Sequence, residues 1–133
     1  LVSFRSQNLM NLFGYIADQA PRYRNIHLWL PFLNHDTPVF TGAERIMRKM
    51  NNAVFYIDVE RPERGKYIYT FKLMTDKPGE IPEFEITKKF FVMLEQTIRR
   101  EPRFYMWSHN RWKRTREEFD REFKIENGHV VRK

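Results

Sequence analysis

The chain has 133 residues, about one domain's worth, and at 41% hydrophobic and 16% aromatic it carries too much core-forming material for a disordered segment. It contains no cysteine, which excludes disulfides, thiolate metal sites and cysteine nucleophiles. Twenty-four basic residues against seventeen acidic give a net charge of +7, and no uncharged run approaches the roughly 20 apolar residues of a membrane-spanning helix.

In chain order, Asn11 to Ala17 is a short, mostly apolar run bounded by Asp18-Gln19 and Pro21, which predicts a buried strand. Arg22 to Phe40 holds Pro31, Pro38, two histidines and Asn34, and predicts a loop with one short strand where Leu28 to Leu33 is apolar. Thr41-Gly42-Ala43-Glu44 has capping-box spacing, so a helix is expected to open there with both side chains satisfying first-turn amides. Ala43, Ile46, Met47 and Met50 give it one apolar stripe, and Asn51-Asn52 should end it. Ala53 to Val59 is aromatic and β-branched. Lys66 to Met74 alternates, with Tyr67, Tyr69, Phe71 and Leu73 on one face, so the charged turn Arg61 to Gly65 makes the two runs an antiparallel pair.

Past Pro78-Gly79 and Pro82, a second helix is expected over about Glu85 to Arg100, closed by Glu101-Pro102. Phe90, Phe91, Leu94 and Ile98 would face inward, with Arg99 and Arg100 at the negative end of the helix dipole. Phe104 to Trp107 predicts a last short strand. Thr115-Arg116-Glu117-Glu118 repeats the capping-box spacing ahead of Phe119 and Phe123, and Asn127-Gly128 centres a small hairpin or frayed tail. The class is α/β, a mixed sheet flanked by helices, without internal repeats or low-complexity segments.

Seven basic residues stand between Arg99 and Arg116 against the single acid Glu101, interleaved with Phe104, Tyr105, Trp107 and Trp112. Such a window suits a phosphate-bearing partner, an acidic protein or an anionic membrane surface, and is also what an ordinary solvated face looks like. A small basic nucleic-acid-binding or interaction module is therefore an alternative, although no exposed aromatic pair resembles a ribonucleoprotein motif. The four histidines, His27, His35, His109 and His129, stand at no recognisable catalytic or metal-ligand spacing. No glycine-rich phosphate loop and no nucleophile elbow occurs.

Several blocks carry a family resemblance over residues 12 to 114. Ile16-Ala17-Asp18-Gln19 is similar to an Ala-Asp-Gln block at a strand end, and Phe32-Leu33 lies nine residues before Gly42-Ala43, like a Phe-Phe pair ahead of a helix-opening glycine. Ala53 to Val59 is similar to an apolar Val-Val-Pro run. Tyr105-Met106-Trp107-Ser108-His109-Asn110-Arg111-Trp112-Lys113 is similar to a closing Trp-x-His-x-Arg-(Phe/Trp)-Lys block. Together these resemble the bacterial lipid A biosynthesis acyltransferases of the lauroyl/myristoyl type. Two features depart from that pattern. Asp36-Thr37-Pro38-Val39 stands where many members have Pro-Ala-x-Thr. The family's catalytic His, four residues, then Asp or Glu is absent, since five places after His27, His35 and His109 stand Phe32, Phe40 and Arg114.

The resemblance implies a partial glycerophosphate-acyltransferase-like domain. Residues 1–114 would be the carboxy-terminal part of the acyltransferase domain, and 115–133 a short helix and hairpin or flexible tail. The start at Leu1 fits a piece of a longer protein whose catalytic pair lies upstream. The implied reaction moves a fatty acyl group from an acyl carrier protein or acyl-CoA to a hydroxyl of a phosphorylated glycolipid, without cofactor or metal. In this half Asp18, Gln19, Thr41, Gly42, Arg111 and Lys113 would position substrate. Arg99, Arg100, Arg103, Arg114 and Arg116 would dock the carrier or the anionic cytoplasmic face of a bacterial inner membrane, with no nucleic acid involved. The isolated fragment is expected to be soluble and inactive.

Overall fold

The computed structural model describes residues 12–133. Among these, the strands pair only locally, as three antiparallel two-stranded hairpins set around one long helix. The expected mixed sheet is therefore not what these residues build. Each described strand finds its partner in its immediate chain neighbour, across a tight turn, and none of the described strands pairs in parallel.

The first hairpin joins β1 (Leu28–Phe32) to β2 (His35–Val39), where one short strand in a loop is expected from sequence. The two prolines obscure it. Phe32 pairs with His35 across a two-residue turn, and antiparallel pairs alternate between bonded and non-bonded positions. Pro31 and Pro38 consequently fall where an N–H would point away from the partner strand, so neither costs a ladder bond. Leu33 and Asn34 form the turn with φ of 50° and 64°, the left-handed pair that matches the twist of a hairpin.

Helix α1 (Gly42–Met50) opens where expected, but the capping box does not form, because Thr41 adopts helical dihedrals and its side chain makes no cap bond. Glu44 turns instead into the interior. Asn51 ends the helix in the left-handed conformation, and its side-chain Oδ1 accepts a bond from the Gly79 amide at 3.0 Å. The second hairpin, β3 (Val54–Glu63) and β4 (Lys66–Thr75), is the expected antiparallel pair, with a tighter turn at Arg64-Gly65. Val54, Tyr56 and Met74 pack inward, while Tyr67, Tyr69, Phe71 and Leu73 are about half exposed. Alternation identifies an apolar face without saying what covers it.

Helix α2 (Glu85–Arg100) is the backbone of the core and presents the predicted stripe. Phe91 and Ile98 join Leu30, Phe32 and Val39 of the first hairpin in one cluster, with Phe32 and Phe91 edge to face at 5.1 Å. Ile86 joins Val54, Tyr56 and Met74 in a second cluster, and Phe90 and Leu94 pack against both. Past the helix, Phe104 to Trp107 forms no strand. A 3-10 turn over Pro102–Phe104 leads into a loop in which Phe104, Met106 and Trp107 are exposed and only Tyr105 turns inward.

Helix α3 (Arg116–Glu122) carries the predicted capping box in full: Thr115 Oγ1 accepts from the Glu118 amide, and the Glu118 carboxylate accepts from the Thr115 amide. The closing hairpin, β5 (Phe123–Glu126) and β6 (His129–Arg132), turns at Asn127-Gly128. This segment is docked, not frayed. Phe119 meets Trp29 edge to face, Phe123 stacks on Tyr23 at 5.5 Å, and the Tyr23 hydroxyl donates to Glu118.

Candidate functional site

The segment before Asp18 is not a strand. Asn11 lies outside the described residues, and Leu12 to Ala17 runs irregularly and unpaired, with Leu12 and Ile16 strongly exposed. A bend at Asp18-Gln19 then brings the chain against the closing block, where the Ala20 amide donates to His109 Nε2 at 3.2 Å. His109 thus acts as an acceptor that fixes this bend. Gln19 is exposed and Asp18 half-buried.

Arg111 and Trp112 lock the same block onto β2. Arg111 is 1% exposed, its Nη2 donates to the Pro38 carbonyl at 2.6 Å, and its guanidinium lies 5.7 Å from the centre of the Phe91 ring. Nε and Nη1 are buried without partners. Burial pulls the guanidinium's pKa below its ordinary value, with Tyr105 and Asp18 as the neighbouring groups that oppose that shift. Trp112 Nε1 donates to Thr37 Oγ1 at 2.8 Å, Thr37 in turn donates to the His35 carbonyl, and the His35 and Trp112 rings lie 4.7 Å apart. Lys113, the next residue, is exposed. Of the six expected substrate-positioning residues, the structure therefore draws Asp18 and Arg111 into one polar junction, buries Thr41 at the start of α1, and leaves Gln19, Gly42 and Lys113 facing solvent. In this arrangement Arg111 braces the fold, and a phosphate could reach it only if its cover opened.

Beside the junction lies an apolar cavity of about 300 Å³. Leu12 to Tyr15 and Ala17 form one side, α1 contributes Ala43, Met47 and Met50, and the second hairpin contributes Phe55, Ile57 and Phe71. Ala17 and Phe40 line it, and they are the chain neighbours of Asp18 and of β2 respectively, so the cavity and the polar junction are contiguous in the chain. Its size falls at the lower end for small-molecule sites, and its lining is the kind that takes a hydrocarbon.

Sequence reasoning missed Glu44 and Thr87. Glu44 is 3% exposed, and its Oε2 accepts from both the amide (2.8 Å) and the hydroxyl (2.5 Å) of Thr87, while Oε1 is buried without a partner. Both residues line the apolar cavity. A signal was present, since Thr87 precedes Phe90, Phe91 and Leu94 on one helical stripe and Glu44 lies three residues before Met47 on another. Thr41 and Glu44 also border a second, polar cavity of about 330 Å³ with Arg45, Arg48 and Glu83.

The five arginines expected to dock an anionic partner are largely engaged. Arg99 pairs with Glu95, Arg103 with Glu101, Arg116 with Asp36, and Arg114 lies over the Tyr23 ring. Arg100 reaches furthest inward, giving Asp58 a bidentate bond at 2.6 and 3.1 Å. Asp58, 3% exposed, also accepts from Lys72 at 2.6 Å and from Thr97, and these cationic donors hold its carboxyl well below the usual carboxylate range. Among the described residues no cluster of histidine and acidic side chains could hold a metal, and no helix is long and apolar enough to cross a membrane.

The fold and site define a small α/β chain that pins a polar junction, through its closing aromatic and basic block, beside a cavity fit for a hydrocarbon chain. The family profile of the bacterial lipid A biosynthesis acyltransferases matches residues 6–114, and the chain belongs to that family. None of the curated proteins and none of the solved structures matches it significantly.

Proposed function

We propose that this chain serves the transfer of a fatty acyl group from a thioester carrier, acyl carrier protein or acyl-CoA, to a hydroxyl of a phosphorylated glycolipid. The observation that carries the reading is the apolar cavity of about 300 Å³ that runs up to the Asp18 bend in a chain of this family. The residues here position substrates. The acyl chain lies among Met47, Phe55 and Phe71, and the thioester and acceptor hydroxyl meet near Asp18, Gln19 and the Thr41-Gly42 turn. Exposed Lys113 offers a point charge to an acceptor phosphate, and Arg111 holds the block that presents it. The sequence has no His-x4-Asp/Glu pair, so the general base that takes the hydroxyl proton comes from outside these 133 residues, and the chain alone turns nothing over. The setting is the cytoplasmic face of a bacterial inner membrane, with a glycerophosphate-acyltransferase-like domain completed by the preceding part of the protein.

The test is photolabelling. An acyl thioester carrying a diazirine near its methyl end should label residues of the cavity, Met47, Met50 and Phe71 among them, in competition with unlabelled thioester. Transfer to a phosphorylated glycolipid should require the longer protein. Labelling confined to other surfaces, or turnover by the 133-residue chain, would refute the reading. A nucleic-acid interface finds less support, because Arg99, Arg100, Arg103 and Arg116 already share carboxylates.

A further inference from the structure

We infer that the free edge of β4 pairs with the same strand of a second copy of this chain, joining the two β3–β4 hairpins into one four-stranded antiparallel sheet about a two-fold axis. Among the described residues β4 pairs with β3 alone. The hairpin's other edge is taken, because β3 lies against α2 through the Tyr56–Thr97 and Asp58–Arg100 hydrogen bonds. Helix α2 reaches β4 at its far end, where Lys89 donates to the Met74 carbonyl. From Tyr67 to Leu73 the main-chain groups that point away from β3 therefore face no partner strand among the described residues, and every one of these residues is exposed. A long, apolar, exposed edge of this kind is a template for strand pairing.

The residues of β4 select the occupant. In antiparallel pairing, directly opposite residues point to the same side of the sheet, so a strand that meets its own copy keeps its apolar faces together when both members of each pair are odd-numbered or both even-numbered. Centred on Thr70, the pairing sets Tyr69 against Phe71 and Tyr67 against Leu73 on one face, and Ile68 against Lys72 and Thr70 against Thr70 on the other. No like charges meet, and the strand's cations are balanced within their own protomer, Lys66 by Glu63 and Lys72 by Asp58. Tyr67, Ile68, Tyr69, Phe71 and Leu73 are each between 50% and 60% exposed. With roughly 150–250 Å² for a whole aromatic side chain, these five hold on the order of 500 Å². A standard interface takes about 800 Å² from each partner, so the side chains and the paired backbone support a dimer at the small end of that class. A bilayer would cover the same apolar face but leave the edge N–H and C=O groups unpaired, which a second strand does not.

The experiment is sedimentation velocity on the 133-residue chain, from low micromolar concentration upward. Wild type should pass from 16.4 kDa to twice that mass as concentration rises. Thr70→Lys sets two ammonium groups opposite each other on the two-fold axis and should weaken the dimer at least about tenfold, with an unchanged circular dichroism spectrum. Thr70→Cys covers the case in which the lysine variant does not fold, and it reads the register, since the chain has no other cysteine. Opposite residues of antiparallel strands have Cα atoms about 4.5–5.5 Å apart, within disulfide range, so mild oxidation should link two copies. Lys66→Cys is the control, because across the same pairing its two copies stand roughly 27 Å apart and should link far more slowly. A monomer at every concentration, a dimer that a folded Thr70→Lys variant leaves intact, or Thr70→Cys linking no faster than Lys66→Cys overturns the pairing, and the monomer would assign the edge to the preceding part of the protein.

Discussion

Arg111 offers the sharpest test of what the closing block does, because bracing and phosphate binding predict opposite orders for two substitutions. The guanidinium is 1% exposed and makes one hydrogen bond, to the Pro38 carbonyl at 2.6 Å, with Nε and Nη1 unpartnered. Replacing Arg111 by Lys keeps the charge but buries a compact, more strongly hydrated ammonium on a shorter stem. The charged bond to Pro38 contributes about 1.5–3 kcal/mol and the contact with Phe91 about 0.5–1 kcal/mol, so Arg111→Lys is expected to cost about 2–4 kcal/mol. Arg111→Met loses the same bond but also relieves the burial of a charge with two idle donors, and buried charges often exchange for apolar residues of similar volume at little net cost. Methionine should therefore be no worse than lysine. At roughly 3–5 °C per kcal/mol for a chain of this size, lysine should lower Tm by about 6–20 °C in a calorimetric or circular dichroism melt, and methionine by less. If lysine melts within about 2 °C of wild type while methionine is the damaging change, the side chain is serving as a charge and not as a brace.

Asp58→Asn should destabilise the chain by about 1–3 kcal/mol in a urea titration, less than for a fully interior pair because Arg100 and Lys72 can rehydrate. The lowered native pKa of Asp58 means its contribution is complete above the unfolded value of about 4 and is lost as pH falls through the native one. The stability gap between the Asp58→Asn variant and wild type should accordingly narrow in acid, and a gap constant from neutrality down to pH about 2 would contradict this. Thr115→Ala should cost about 1 kcal/mol through loss of the α3 cap, measurable as a shift of the urea midpoint. Tyr23, pushed up to about 12 by burial and by its bond to Glu118, should be the last tyrosine to ionise in a spectrophotometric titration, and Glu118→Gln should bring it down. Binding to anionic vesicles should weaken with salt yet show a shallower slope than seven free cations would give, since Arg99, Arg100, Arg103 and Arg116 are shared with carboxylates; a slope matching the full basic count would mean those pairs open on the membrane.

Local chemistry was legible from the residues and long-range pairing was not. The Thr115 capping box, the Asn127-Gly128 turn, the antiparallel pairing of β3 with β4 and the stripe of α2 each depend on contacts within a few residues or on one periodicity, and each stands as the sequence implies. The failures share a cause. Leu12 to Ala17 and Phe104 to Trp107 have strand composition, but a strand exists only where another lies beside it, and among the described residues neither run has one. Pro31 and Pro38 argued against a hairpin only because the bonded and non-bonded positions of a hairpin cannot be assigned before its turn is known.

The site divides along the same line. The closing block was readable as a unit, yet its residues take roles that residue type alone could not separate: His109 accepts from Ala20, Arg111 is spent on Pro38, Trp112 on Thr37, and Lys113 is left to the solvent. Glu44 shows why. At Thr41-Gly42-Ala43-Glu44 the spacing satisfied a local rule, and a carboxylate that reaches back to its own helix is ordinarily the cheaper arrangement. Here Thr87 supplies two donors at once from the facing helix, more than the single N-cap amide could offer, so the interior contact wins and the cap is forgone. A polar residue on each of two facing apolar stripes is visible in a sequence; that the two are opposite one another and bonded follows only from how the helices pack.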